Sequence, residues 1–298
     1  MSWNSISSRA AADFLGAVCH GPEFNVAFPV SFPNLAPHTI TFLTGRRTTL
    51  PPAPGSCLVV TVEDMVEPLV ELGFGVIAHA SPKFAFCKIV QSLMSKPRET
   101  TVHPTAIIGP EVELGEQVQI GAFSILEGKV HIGDRVAIES HVRLENSVTV
   151  GMGSHIHGGV QVGYDPFSFG ASESGEAYLF PAIGGVSIGQ HVHVFPNSSI
   201  ARGTADDTVL EDWVRVGNHV HIGNTVRIGE GTTISAQTWI SARVRIGERC
   251  WIAPRAAIRQ GLSVGADATV GMGAVVVSDV AANTIVVGVP ARRHLTED

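Results

Sequence analysis

A chain of 298 residues with 44% hydrophobic and 16% charged residues can build one large core or two, and is not a disordered sequence. A net charge of -7 argues against a general nucleic-acid binder, and no apolar run reaches the roughly 18 residues that a membrane span requires. Thirty-two glycines beside only 6% aromatics describe a chain that turns often and fills its interior with aliphatics.

The first residues, "MSWNSISSRAAADFLG", lack a basic segment followed by an apolar one, so no signal peptide is expected. Residues 1 to about 100 carry no long period. "SRAAADFLGAV" reads as a helix, "APHTITFLTG" and "GSCLVVTV" as strands, and "PKFAFCKIVQSLM" as a further helix. Together they predict a small α/β domain over residues 1–100. The four cysteines (Cys19, Cys57, Cys87 and Cys250) form no C-x-x-C pair and read as reduced core thiols of a cytoplasmic protein.

From Val102 a period of six takes over. Ile108, Leu114, Ile120, Leu126, Ile132, Ile138, Leu144, Val150, Ile156 and Val162 follow at that spacing. Small or β-branched residues sit two positions earlier, as at Val112, Val118, Ser124 and Val130, and glycine often comes next, as at Gly109, Gly115 and Gly121. The register is lost after Gly163 and resumes at Ile188, Val194 and Ile200. Four extra residues then precede Leu210, from which the period runs to Val276. No α-helix repeats every six residues. A parallel β-helix does: each hexad supplies a short strand and a corner, three hexads close a triangular coil, and the aliphatics stack inside. The glycines are expected to accept corner dihedrals that a Cβ would hinder. The fold class expected is mainly β, with this helix over residues 101–280 and a tail over 281–298.

Two breaks interrupt the helix. "YDPFSFGASESGEAYLFP" (164–181) holds three phenylalanines and both tyrosines, and an ejected loop of this length is usually functional. "RGTADD" (202–207) is shorter. Three H-x-H pairs also occur, at 155–157, 191–193 and 219–221. On a strand, residues i and i+2 share a face, so each pair is a possible metal clamp. No cysteine or carboxylate is seen to complete a set.

Four stretches resemble the UDP-3-O-acylglucosamine N-acyltransferases of lipid A synthesis: "ITFLTGRRT", "SPKFAFCKIV", "IHGGVQVGYDPFSFG" and "FPAIGGVSIGQHVHVFPNSSIARGTADDTVL". The last two include both breaks. The resemblance implies a left-handed β-helix, a homotrimer, a nucleotide-sugar acceptor and a thioester donor. The segment "GMGAVVVSDVAANTIVVGVPAR" instead resembles the end of hexapeptide sugar acetyltransferases, so acetyl-CoA is the preferred donor over acyl carrier protein. No metal is expected in this reading.

Aligned on the hexads, Asn224 stands where the family has its catalytic histidine, a second family histidine falls on Gly261, and the uridine-site asparagine falls on Gly45. An asparagine cannot act as a base, so His219, His221 and His157 are the candidates for that role, with Asn224 and the N–H of Gly223 as oxyanion donors. Phe42 is placed to stack on uracil, and Arg46 and Arg47 to meet a diphosphate. Asp165, Phe167, Phe169, Asn197 and Arg202 are expected near the acceptor, and Arg243 and Arg292 at coenzyme A phosphates. The bland alternatives are core packing for Phe42, corner roles for Asn197 and Arg202, and solvated arginines. Two other classes remain open. One is a metal-dependent hydratase of the γ-carbonic-anhydrase type, whose ligand spacing would need a histidine at 224. The other is a catalytically silent scaffold.

Overall fold

The computed structural model describes residues 3–45, 50–94 and 99–293. The chain divides into two compact units, Met1–Pro97 and Arg98–Asp298.

In the first unit, a five-stranded sheet runs in the order Cys19–His20, Gly75–Ala78, Cys57–Thr61, Thr39–Phe42, Phe28–Pro29. Only the first pairing is antiparallel. Alternation along Cys57–Thr61 sends Leu58 and Val60 to one apolar cluster and Cys57 and Val59 to another, so both faces of the sheet are covered. The helix Ser8–Leu15 starts where the Ser7 side chain accepts from Ala10 N and stops at Gly16 in the left-handed region. A second helix, Pro82–Ile89, begins with proline at its first position. The helix Val66–Glu71 and the strand Gly75–Ala78 were not among the expected elements.

The second unit is a left-handed parallel β-helix. Among the described residues it has an eight-, an eleven- and a nine-stranded sheet, each made almost wholly of strands two to four residues long. Partners in a sheet are 18 residues apart, as Gln119 is from Ala137. The step lengthens across the breaks, from His155 to His193 and from His193 to Arg215. Ile120, Ile138, Ile156, Val194, Val216 and Ile234 therefore form one continuous stack, all at most 3% exposed. Hydroxyls at some inward positions tie coil to coil. Ser198 Oγ donates to Gly217 O and accepts from Val220 N, so a buried polar group is satisfied on both sides. Ile285–Val287 and Arg292–Arg293 extend the eleven-stranded sheet beyond residue 280.

The corner glycines have a different role from the one expected. Positive φ at the corners falls mostly on residues with side chains, among them His141, Asn197, His219, Thr225 and Arg243. Apart from Gly163 at φ 90, the glycines that directly follow the stacking aliphatics do not have positive φ. A Cβ on Gly121 would lie 2.5 Å from Ser140 N, and one on Gly217 would lie 2.6 Å from Ala236 N. Close approach of the next coil, not the dihedral, selects glycine there.

Candidate active site

The first break leaves the nine-stranded sheet through a bulge after Val162, which pairs Tyr164 with Ala201. The ejected segment is a hairpin of Phe169–Ala171 against Ala177–Leu179. Its ends are held by Arg202. The Arg202 Nε donates to Gly184 O at 2.7 Å, and Nη1 lies 3.6 Å from Asp165 Oδ1. The arginine side chain is only 13% exposed, so its contacts lie in a partly dehydrated setting. At the second break, the N–H of Gly185 donates to Asp207 Oδ1 at 2.6 Å.

Below these breaks lies His221, in register with Ser199 and Trp239 on the nine-stranded sheet. Its Nδ1 is 3.2 Å from Ser199 Oγ and 3.4 Å from Tyr164 OH, and its ring stacks on Trp239 at 3.9 Å. Burial holds the His221 imidazole below the usual histidine range and raises the Tyr164 phenol. Asn224 follows at the next corner, 9% exposed. Its carbonyl accepts from Arg243 N at 2.9 Å, and its side-chain amide has no hydrogen bond to another described residue. Register thus gathers Tyr164, Asp165, Ser199, Arg202, His221 and Asn224 along three adjacent interior strands of this sheet and the turns that follow them.

The other expected residues divide. Gly223 is beside Asn224, but its N–H already donates to Ile240 O at 2.8 Å in the coil ladder, so it is not free as an oxyanion donor. His219 occupies an exposed corner at φ 55, as Asn197 does one coil earlier at φ 60. Arg243 is an exposed corner residue one coil beyond Asn224, whereas Arg292 lies at the end of the eleven-stranded sheet. Phe167 and Phe169 stack edge to face at 4.9 Å and are 94% and 62% exposed. In the first unit, Phe42 packs on Phe86 at 5.2 Å. Arg46 and Arg47 lie outside the described residues.

His157 belongs to another cluster, on the eleven-stranded sheet. It stacks on His155 at 3.9 Å, and His193 stands beside His155. The two H-x-H pairs that open on a corner do not share a face as expected. His191 and His219 have positive φ, which ends the strand alternation before His193 and His221. A carboxylate does reach the cluster: Glu139 lies 2.9 Å from His155 and 3.0 Å from His157. Burial tends to raise Glu139, but the Gly158 N–H and the two histidines outweigh that and hold it below the usual carboxylate range. His193 is lowered to about 4, first by burial and then by the neighbouring histidines and Arg215. Nearby, an open groove is lined by Gly121, Glu139, Ser140, His141, Gly158, Gly159 and Asn197.

Tyr164, Ser199, Trp239 and Glu139 were not named from the sequence as site residues, and His155 and His193 were named only as members of separate H-x-H pairs, not as one cluster. The signal for four of the six was present. Once the two insertions are discounted, Ser199, His221 and Trp239 share one hexad position, as do His155 and His193.

No protein-family model matches the chain. It is 29% identical over 163 residues to a UDP-3-O-acylglucosamine N-acyltransferase of Coxiella burnetii (strain RSA 493 / Nine Mile phase I), covering 48% of each chain. It is 29% identical over 221 residues to one of Paracidovorax citrulli (strain AAC00-1), covering 72% of this chain and 66% of that one. The chain spans about half the length of the first curated relatives it matches. Among solved structures, a UDP-N-acetylglucosamine acyltransferase from Campylobacter jejuni superposes with a TM-score of 0.59 at 22% identity, over 65% of this chain and 74% of that one. At that identity the likeness is one of fold. The chain is a hexapeptide-repeat left-handed β-helix protein similar to the UDP-3-O-acylglucosamine N-acyltransferases.

Proposed function

We propose that the protein transfers an acyl or acetyl group from a thioester to the amine of a nucleotide-linked sugar, with His221 taking the amine proton. The observation that carries this reading is the His221 imidazole. It is half-buried, disfavoured in its charged form, and oriented at Nδ1 by Ser199 and Tyr164. Its Nε2 has no hydrogen bond to a described residue. When Nδ1–H donates to Ser199 Oγ, Nε2 carries the lone pair a general base needs. The similarity to enzymes named as N-acyltransferases of a UDP-linked amino sugar supports the substrate class.

In this mechanism the amine nitrogen attacks the thioester carbonyl carbon. The Asn224 amide donates to the carbonyl oxygen as it gains charge. The C–S bond then breaks, and the proton collected at Nε2 leaves with the thiolate. Arg202 and Asp165 fix the root of the hairpin, which covers the acceptor. Acetyl-CoA is the preferred donor and acyl carrier protein the other, with Arg243 beside Asn224 to meet donor phosphates. The working form is a cytoplasmic homotrimer, and Phe167 and Phe169 of the hairpin face the sugar or the acyl group. Its pathway is lipid A or surface-polysaccharide synthesis.

The test is thiol release from acetyl-CoA and from acyl carrier protein with a panel of UDP-linked amino sugars, with mass spectrometry of the sugar product. Release matched by an N-acylated sugar is expected. Silence with every donor and acceptor would leave the scaffold reading in its place.

A further inference from the structure

The histidine cluster lies on a different sheet from the proposed transfer site and does not depend on that reading. His155 and His193 are in-register neighbours on adjacent strands, brought together because the ejected hairpin is looped out between them. His157 follows two residues after His155, with its ring stacked on it. One possible ligand nitrogen from each ring lies within 4.8 Å of the other two. We propose that His155, His157 and His193 bind one divalent first-row transition-metal ion, zinc foremost, and that Glu139 orients two of the three rings from behind.

Ligand type and spacing fit that class. Imidazole nitrogen suits zinc, copper, nickel and cobalt rather than magnesium or calcium. Zinc–nitrogen bonds of about 2.0–2.1 Å place tetrahedral ligands about 3.4 Å apart, so nitrogens within 4.8 Å close by side-chain rotation with the coils in place. The outer partners fit as well. Glu139 sits 2.9 Å from His155 Nε2 and 3.0 Å from His157 Nδ1, and its second oxygen accepts from Gly158 N at 3.0 Å. A carboxylate behind a ligating histidine fixes the tautomer and aims the opposite nitrogen at the metal. That opposite atom in His157 is Nε2, which is buried and has no hydrogen-bond partner. A metal ion gives this lone pair its partner. Phe195, stacked on His157 at 4.4 Å, forms an apolar wall. Three protein ligands leave a fourth position for water or an outside ligand. The ion would tie the coil before the hairpin to the coil after it.

The test uses the tag-free full chain, stripped by a chelator and titrated with Co2+ and then with Zn2+. One Co2+ per chain is expected, with a visible absorption band of four- or five-coordinate geometry that Zn2+ abolishes. His155→Ala and His193→Ala should lose the band, and Glu139→Gln should weaken binding about 10- to 100-fold. His131→Ala, which removes an exposed histidine 3.0 Å from Glu113, should change nothing. Circular dichroism shows whether each variant is folded. A measurement independent of variants is carbethoxylation of the unaltered chain, read by mass spectrometry: Zn2+ should protect His155, His157 and His193 and leave His103 reactive. No saturable binding at about 100 µM metal, binding retained in the His155→Ala/His193→Ala double variant, or no protection overturns the proposal.

Discussion

Replacing Gly217 by alanine separates two explanations of glycine in this repeat. The new Cβ would lie 2.6 Å from Ala236 N and 2.8 Å from Ser235 C, both main-chain atoms of the next coil. Ordinary contact begins near 3.4 Å, so the coil must retreat by several tenths of an ångström. The Gly217 N–H donation to Ile234 O, now 2.7 Å, stretches with it. A weakened ladder bond at about 1 kcal/mol plus overpacking at about 1–3 kcal/mol gives a loss of roughly 2–4 kcal/mol. Gly261 is the control. Its Cβ would meet nothing within 4 Å, and its φ of 75 leaves only the left-handed penalty of about 1–2 kcal/mol. At about 2–4 °C per kcal/mol, thermal melting of the full chain at one protein concentration should fall by roughly 10 °C for Gly217→Ala and by about half that or less for Gly261→Ala. Equal losses, or a larger one at Gly261, would refute the close-approach argument.

Three further outcomes follow from the same contacts. Ile222→Ala removes a fully buried member of the aliphatic stack and should destabilise by about 2–5 kcal/mol, read by denaturant unfolding. Arg202→Met removes the link between Asp165 and Gly184, so chymotrypsin should cut the hairpin at Phe167 or Phe169 several times faster while the melting point moves little. Asn224→Ala should lower kcat by about 100-fold or more with a smaller change in the acceptor KM, as expected for a donor that acts on the developing oxyanion. A pure KM effect would make Asn224 a binding residue instead.

The β-helix was legible because its signal is one-dimensional: a stacked aliphatic every six residues survives any ignorance of the loops. The breaks were legible for the same reason, as losses of register. The candidate site was legible only where it coincided with that pattern. Asn224 and His221 could be singled out because they lie in uninterrupted hexads. Ser199 and Tyr164 were missed because their partner His221 lies across insertions that change the sequence separation without changing the spatial step. The first insertion likewise hid the pairing of His193 with His155, whereas Glu139 lies only 16 residues from His155 and no period marks that contact. The Gly223 N–H was misjudged because a free donor and a laddered one look alike in sequence. The unexpected helix Val66–Glu71 has a short apolar pattern and a proline within it, too little for periodicity to register.

The most direct test of the proposed chemistry is the pH dependence of kcat/KM for amine acylation in the unaltered chain and in His221→Ala. Burial lowers the folded-state pKa of His221, so its base form is present above that value and is lost as pH falls through it. The acid limb should therefore lie below about 6.5. His221→Ala should lose that limb and about 100- to 10,000-fold in rate. A variant that keeps both the rate and the limb would contradict the assignment of His221 as the base.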